Sequence, residues 1–434
     1  MKYYLAIDLG ASGGRHIVGH LENKEIILKE IHRFKTGMDY SRDGLVWDIP
    51  RIYNEIIFGI KKAFKLYKDI ESISIDTWGV DYVLMNGDLE ITPYYAYRNE
   101  RNQKSAQKVH KKIKFVDIYQ KTGIQFAAFN TLYQLYDDKE KGRLIKATDY
   151  LMLPSYFAYK LTGIKTHEYT NESTGALLDI KTGKYDYDLL EKLGLPRKLF
   201  GEIKKPGFAV GEFLPQIQKI VNGNSKVVLC ASHDTASAFE AVDIEEDSVL
   251  LSSGTWSLLG IKSKEPIVNI DSLKANYTNE GGVGYIRFLK NIMGMYLANR
   301  VRDEIGLDYP YIDSVISNSD YKETFDVNDS SLNAPRSMKK TIMHLLKDNP
   351  PKNDIDLFAA IYHSQALCYQ KSIEELEKIT NKKYKKIYIV GGGAKNKYLN
   401  NLIREYTNLE VVPLPIEATA LGNIKIQMKA SKEL

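Results

Sequence analysis

The chain starts the same way twice. Residues 3–9 form an apolar run with Asp8 near its end. They lead into the tight turn Gly10-Ala11-Ser12-Gly13-Gly14-Arg15 and a second alternating run, residues 16–21. Residues 248–253 repeat the plan, with the turn Gly254-Thr255 and a return run from Trp256 to Leu259. Period-two alternation around a glycine turn predicts a hairpin. Two such hairpins predict a duplicated α/β domain whose turns face each other across a cleft. Chance likeness of two short hairpins is the competing explanation. The 434 residues suit two domains of about 200 residues each.

Composition narrows the class. The chain is 44% hydrophobic and 26% charged, ordinary for a soluble globular protein. Its 60 basic and 55 acidic residues leave a net charge of +5, and the lysines are interspersed with acids. That pattern fits a solvated surface and argues against nucleic-acid binding. Cys230 and Cys368 lie in apolar segments without CxxC or Cys/His spacing. They predict buried, reduced thiols and a cytoplasmic protein, with neither a disulfide framework nor a zinc site. Residues 1–8 run straight into a strand, so no signal peptide is expected. No uninterrupted run of 18 apolar residues occurs, so no membrane span is expected.

Four polar stretches at strand ends carry chemistry. In residues 10–15, glycines let backbone N–H groups approach phosphate oxygens, and Asp8 can hold Mg²⁺ through water. Hairpin geometry alone also accounts for those glycines. The stretch is neither a Walker loop nor a GxGxxG, and no crossover helix follows, which argues against a Rossmann site. The strand 70–76 leads into Thr77-Trp78-Gly79-Val80-Asp81, where carboxylates accept hydroxyl bonds and a ring packs on C–H faces, as a polyol needs. A buried tryptophan at a bulge is the alternative. Residues 227–236 read as strand, polar elbow (Ser232-His233-Asp234-Thr235), then helix. Such elbows hold reactive groups at a sheet edge, although Ser232 or Asp234 as a plain helix cap also fits. The strand 385–390 meets Gly391-Gly392-Gly393 before a helix, room for a nucleotide base or α-phosphate. Close helix–sheet packing is the competing use of those glycines.

The remaining pattern predicts a helix over 49–66, a charged helix from about Arg98-Asn99-Glu100-Arg101, and a loop at 278–282. Residues 289–294 open a helix reaching about Ile305, and 306–352 form a peripheral insert with a helix near Ile342. A long helix over 355–379, a last strand at 411–413 and a final helix from Glu417 complete the chain.

As a set, Ile7-Asp-Leu-Gly-Ala-Ser12, Ile75-Asp-Thr-Trp-Gly-Val-Asp81, Asn130-Thr-Leu-Tyr-Gln134, Ala231-Ser-His-Asp-Thr-Ala236, Leu251-Ser-Ser-Gly-Thr-Trp-Ser257 and Ile389-Val-Gly-Gly-Gly393 resemble the FGGY family of carbohydrate kinases. The resemblance runs over nearly the whole chain. It implies two actin-like ATPase (ribonuclease H-like) domains, each a mixed five-stranded sheet with helices, and a catalytic cleft between them. Residues 1–241 would bind sugar and 242–434 would bind ATP. It implies Mg²⁺ and ATP, a small-molecule ketose substrate phosphorylated on a primary hydroxyl, and a monomer or homodimer. Asp234 would be the general base. Gly79, His233, Thr235 and Asn291 would line the ketose, with Trp78 and Asp81 close by. Ala11, Ser12, Gly13, Gly14, Arg15, Thr255, Asn299, Gly392 and Gly393 would bind ATP, and Asp8 would hold Mg²⁺ through water. An ATP-binding sugar sensor or a chaperone-like protein of the same fold are the rival classes. A chaperone would need a substrate-binding β domain, for which no sequence remains after residue 423, and a sensor would be expected to lose Asp234.

Three departures stand out. Asn99 occupies a position where the family usually has an acid, and Asn299 one where a longer glutamine is usual. The chain also stops at Leu434, one or two helices short of the usual end, from which reduced stability with intact chemistry is expected.

Overall fold

The computed structural model describes residues 1–414 and 417–434. The chain forms two compact units. The first is Met1–Val242 with Lys262–Phe288 and Ala418–Leu434, and the second is Asp243–Ile261 with Leu289–Glu417.

The first unit is organised on a sheet in the order Ala209–Glu212, Lys226–Val228, Ile70–Thr77, Tyr3–Gly10, Gly13–Glu22, Glu25–Phe34. Tyr3–Gly10 pairs antiparallel with the next strand and parallel with Ile70–Thr77, which pairs parallel with Lys226–Val228. Leu5, Ala6, Ile7, Ile73 and Ile75 are all buried, as central strands covered on both faces require. The covering helices come from distant parts of the chain. His16 faces the helix Ile49–Leu66, with a ring nitrogen 3.2 Å from the Ile56 carbonyl. Its neighbour Ile17 packs with Tyr4 and Ala6 on Ala420, Ile424 and Met428 of the final helix, Ala418–Ala430. That helix also lies on Asp234–Ala241. Gly422 allows it, because a Cβ there would meet the Ser237 carbonyl oxygen at 1.7 Å.

The second sheet has the order Glu410–Pro413, Lys386–Val390, Ser248–Ser253, Trp256–Ser263, Ile286–Met293, Thr278–Gly281. Five of its strands follow the order of five in the first sheet, starting from Lys226–Val228. The duplication thus extends well past the two hairpins. Each sheet has six strands where five are expected, and the extra ones are the four-residue edges Ala209–Glu212 and Thr278–Gly281.

Two local expectations are corrected. Thr278–Gly281 is a fully buried strand, not a loop. Its polar Asn279 takes the Ile267 N–H at 2.7 Å and donates to the Gly123 and Ile267 carbonyls, so burial leaves no amide group unmet. Residues 289–293 end the strand Ile286–Met293, and the helix opens only at Tyr296. Among the described residues, Cys230 and Cys368 are free thiols, and no helix is long and apolar enough to cross a membrane.

Candidate active site

The first unit brings three strand ends together. Asp8 and Asp76 are register partners on adjacent parallel strands. The Thr77 N–H bonds the Ser232 carbonyl at 2.9 Å, and the Trp78 N–H bonds that of Leu9 at 3.2 Å. The elbow is held from beneath by Glu168, wholly buried, whose carboxylate accepts the Ser232 hydroxyl, the Ser232 N–H at 3.2 Å and the Thr170 and Asn171 N–H groups. The Asn171 amide donates to the Ser232 carbonyl at 3.1 Å. Burial raises the Glu168 carboxyl above its ordinary range. The elbow therefore has little freedom to shift.

Helix Asp234–Ala241 follows, with His233 at its N-cap and no side-chain bond from that cap. Neither Ser232, spent on Glu168, nor Asp234, the first helical residue, is the N-cap. Asp234 Oδ1 accepts the neighbouring Thr235 N–H at 2.6 Å and the Thr235 hydroxyl at 3.1 Å. Its other oxygen takes no part in those bonds. Burial raises the Asp234 carboxyl, and the Asp8 charge adds to that rise, which suits a group that must exchange a proton.

Trp78 is 6% exposed and packs against Trp47 with the rings tilted by 38° and 4.3 Å between centroids. Both indoles donate to Asp81 Oδ2, at 2.9 and 2.6 Å, and the Tyr97 N–H joins them at 3.2 Å. Gln134 donates to Oδ1 at 3.2 Å. Burial pushes the Asp81 carboxyl up to about 6 despite these donors. Asp81 thus acts as an anchor for the two indoles. Between Trp78 and Asp81, Val80 is held at φ +68°, a strained value for a β-branched residue. Thr131 and Gln134 bond its carbonyl and Thr174 takes its N–H. Gly79 leaves room for Thr174, whose hydroxyl a Cβ would meet at 2.9 Å.

Asp8 is 5% exposed, and Arg15 donates to its Oδ2 at 2.5 Å. The hairpin turn places Ala11 and Ser12 at the surface end of these strands. Gly14 serves packing, since a Cβ there would meet the Phe34 ring at 2.4 Å. Asp76 is offered by the sequence only as one of two acids at this strand end, with no role of its own. It is completely buried, accepts the Asn423 amide at 2.5 Å on Oδ2, and has no partner for Oδ1. Burial raises its carboxyl strongly, and the charges of Asp8 and Asp234 raise it further.

In the second unit, Thr255, Gly294 and Gly391–Gly393 are gathered around the hairpin turn. The Gly294 and Met295 N–H groups bond the Thr255 and Gly254 carbonyls at 3.2 and 2.8 Å. Gly391 adopts φ +82°, and a Cβ on it would lie 2.8 Å from the Ser253 carbonyl oxygen. A Cβ on Gly393 would meet the Ser253 hydroxyl at 2.0 Å, whereas one on Gly392 would meet nothing within 4 Å. Packing thus accounts for two of the glycines and leaves open space above the third. Asn291 lies on the strand Ile286–Met293, and Asn299 on helix Tyr296–Ile305 with its amide oxygen accepting the Tyr309 hydroxyl at 2.5 Å. Ala11–Arg15 belong to the first unit and Thr255, Asn299, Gly392 and Gly393 to the second.

Asn99 explains its own departure. Its amide donates to the Asp43 and Leu45 carbonyls at 3.0 and 2.9 Å, and its oxygen accepts the Arg101 N–H. A carboxylate could not donate either bond.

Residues 3–239 match the N-terminal domain of the FGGY family of carbohydrate kinases and residues 249–431 its C-terminal domain. The chain belongs to this family and is a sugar kinase, with ATP as the phosphoryl donor. Among its relatives, a rhamnulokinase from Halalkalibacterium halodurans is 39% identical, covering 100% of this chain and 95% of the relative. One from Oceanobacillus iheyensis is 38% identical over 99% and 93%. A ligand-bound xylulose kinase from Lactobacillus acidophilus shares the fold, with a TM-score of 0.83, 16% identity and coverage of 100% and 90%.

Proposed function

We propose that the protein phosphorylates the primary hydroxyl of L-rhamnulose, giving L-rhamnulose 1-phosphate and ADP, as a step of L-rhamnose breakdown. The relatives named for this activity support the substrate. The observation that supports the chemistry is the elbow, a carboxylate with one oxygen uncommitted and its carboxyl raised by burial. A primary alcohol is a weak nucleophile, and its proton must leave as the new P–O bond forms. Asp234, as the anion, accepts that proton, and its hydrogen bond to the hydroxyl sets the line of attack. Phosphoryl transfer asks little else of the protein beyond positioning and charge neutralisation.

In this proposal Gly79, Trp78, His233, Thr235 and Asn291 hold the sugar, with Asp81 fixing Trp78. Ala11–Arg15, Thr255, Asn299, Gly392 and Gly393 hold ATP. The residues fit Mg²⁺: Asp8 offers a carboxylate beside the partnerless Oδ1 of Asp76, an acceptor for a metal-bound water. Among the described residues no cluster of three ligating side chains occurs. That suits magnesium, which takes one or two carboxylates with water and phosphate oxygens. When bound, the ion neutralises phosphate charge. The two free thiols support a reducing, cytoplasmic setting.

The test is ADP release, coupled to a reporter, over a panel of ketoses with Mg·ATP. L-rhamnulose should give the highest kcat/KM. A higher value with L-fuculose would reassign the substrate, and no stimulation by any ketose would leave a nucleotide-binding sensor.

A further inference from the structure

Behind His233 lies a buried ion pair contributed by another part of the first unit. Arg287, on the strand Ile286–Met293, is completely buried, and Glu280 lies on the edge strand Thr278–Gly281. Arg287 Nε donates to the Gly281 carbonyl at 2.8 Å. Its Nη1 lies 3.1 Å from His233 Nδ1 and 3.1 Å from Glu280 Oε2. Glu280 Oε2 is itself 3.3 Å from His233 Nδ1. On the other side of the ring, Nε2 is 3.4 Å from Asp234 Oδ1. The Thr170 hydroxyl accepts the His233 backbone N–H at 3.3 Å.

A guanidinium has only donors and stays protonated. An Nη1–H directed at Nδ1 therefore meets a ring nitrogen that accepts. A proton on Nδ1 would set two donors head to head at 3.1 Å, next to a fixed positive charge. Glu280 gives that proton little reason to stay, because the Arg287 guanidinium, 3.1 Å from Oε2, already neutralises its charge. The imidazole proton is then on Nε2, on the side of Asp234 Oδ1. That oxygen also takes the Thr235 N–H, so Oδ2 is left for the substrate hydroxyl.

We propose that Arg287 is a positioning residue of the sugar site. Held by Glu280 and the Gly281 carbonyl, it fixes His233 as the neutral, Nε2-protonated tautomer. The ring thereby presents a donor beside the base without adding a positive charge. The proposal rests on Asp234 and His233 forming the ketose site, but its first readout needs no substrate.

The experiment is a two-bond ¹H–¹⁵N correlation spectrum of the intact protein labelled with ¹⁵N-histidine, recorded near neutral pH. His233 is assigned by the signal lost in His233→Gln. The expected result is an unprotonated Nδ1 and a protonated Nε2. A protonated Nδ1, in either the other neutral tautomer or the imidazolium, would overturn the proposal. In Arg287→Met the fixed tautomer should give way to a mixture, with ketose KM raised about tenfold and ATP KM changed by less than about twofold. Arg287→Lys should partly restore both. A Met variant with the wild-type imidazole pattern and a raised KM would reduce Arg287 to a structural role and overturn the proposal. If the Met variant fails to fold, the wild-type spectrum decides alone. A correct tautomer in a protein that phosphorylates no ketose would support the placement of the proton and overturn only the functional reading.

Discussion

In the first sheet the hairpin strand and its parallel neighbour carry Asp8 and Asp76 at paired positions near their ends. In the second sheet the corresponding pair is Ser252 and Val390, and the residues that follow are Gly254-Thr255 and Gly391-Gly392-Gly393. The strand order is shared, so the backbone offers each unit the same edge. Side chains decide what each edge can hold. Carboxylates in the first suit proton transfer and a hydrated cation. They would repel phosphate, which Arg15 offsets by its bond to Asp8. Glycines and hydroxyls in the second carry no charge and let a flat ligand lie against backbone. On the proposed function, one scaffold, duplicated, confines the acid–base work to the first edge.

The sharpest break of this comparison is Asp234→Asn. Asparagine preserves size and much of the hydrogen bonding to Thr235 but cannot take a proton. The expected loss is about 10²–10⁴ in kcat with ATP KM nearly unchanged. Turnover within about threefold of wild type would show that the acid edge does no proton transfer. The pH profile sharpens the same point. The base works only as the anion, and burial raises its carboxyl. The rate of the wild type should therefore fall on the acid side at a pH above the ordinary aspartate value of about 3.9.

On the glycine edge two neighbouring substitutions should part company. Gly391→Ala forces an L-residue to φ +82° against the Ser253 carbonyl, costing about 1–3 kcal/mol of stability with or without ATP. Gly392→Ala meets no protein atom, so its melting temperature should match wild type. If the space above it takes nucleotide, the added methyl should raise ATP KM about tenfold. An unchanged ATP KM in a folded Gly392→Ala protein would remove the nucleotide from that turn.

What was legible in the sequence was whatever lies contiguously at a strand end. The elbow at Asp234, the Trp78–Asp81 stretch and the three glycines each announce themselves within a few residues. Both hairpins were legible too, because alternation and turn glycines are local. The partners that hold the elbow come from elsewhere: Glu168 and Asn171 from one segment, Asn423 from the final helix, Arg287 and Glu280 from the strands after Lys262. Nothing local marks a chain that returns to its first unit twice. Asp76 was legible as an acid at the strand end beside Trp78, but its burial against Asn423 was not, because that partner lies 347 residues away. Thr278–Gly281 was hidden because its polar side chains are buried, Asn279 with bonds that only the folded structure supplies. The strand Ile286–Met293, with Lys290-Asn291 near its end, misled for the same reason. Lys290 is drawn to Glu375, 2.7 Å away on the long helix Asp354–Thr380.

Asp76 gives the smallest effect and the finest distinction within the acid edge. Its carboxyl is raised by burial first and then by Asp8 and Asp234, so in the folded protein it holds a proton over a range where the unfolded chain has already lost its own. Stability rises with pH only where the unfolded state binds more protons. Here the folded state binds more, so this residue's contribution is greatest below the unfolded value of about 3.9 and declines as pH climbs toward the raised folded value. Asp76→Asn is neutral at every pH and lacks that decline. The melting temperature of the variant minus that of wild type should therefore grow with pH, from near zero at about pH 4 to about 1–3 °C at about pH 7. Where the raised carboxyl still holds its proton at the assay pH, the replacement removes no charge and kcat should stay within about threefold. A temperature difference that does not vary with pH would mean that Asp76 is an anion in the folded protein. Its loss should then depress kcat well beyond threefold, placing a third working carboxylate on the edge beside Asp8 and Asp234.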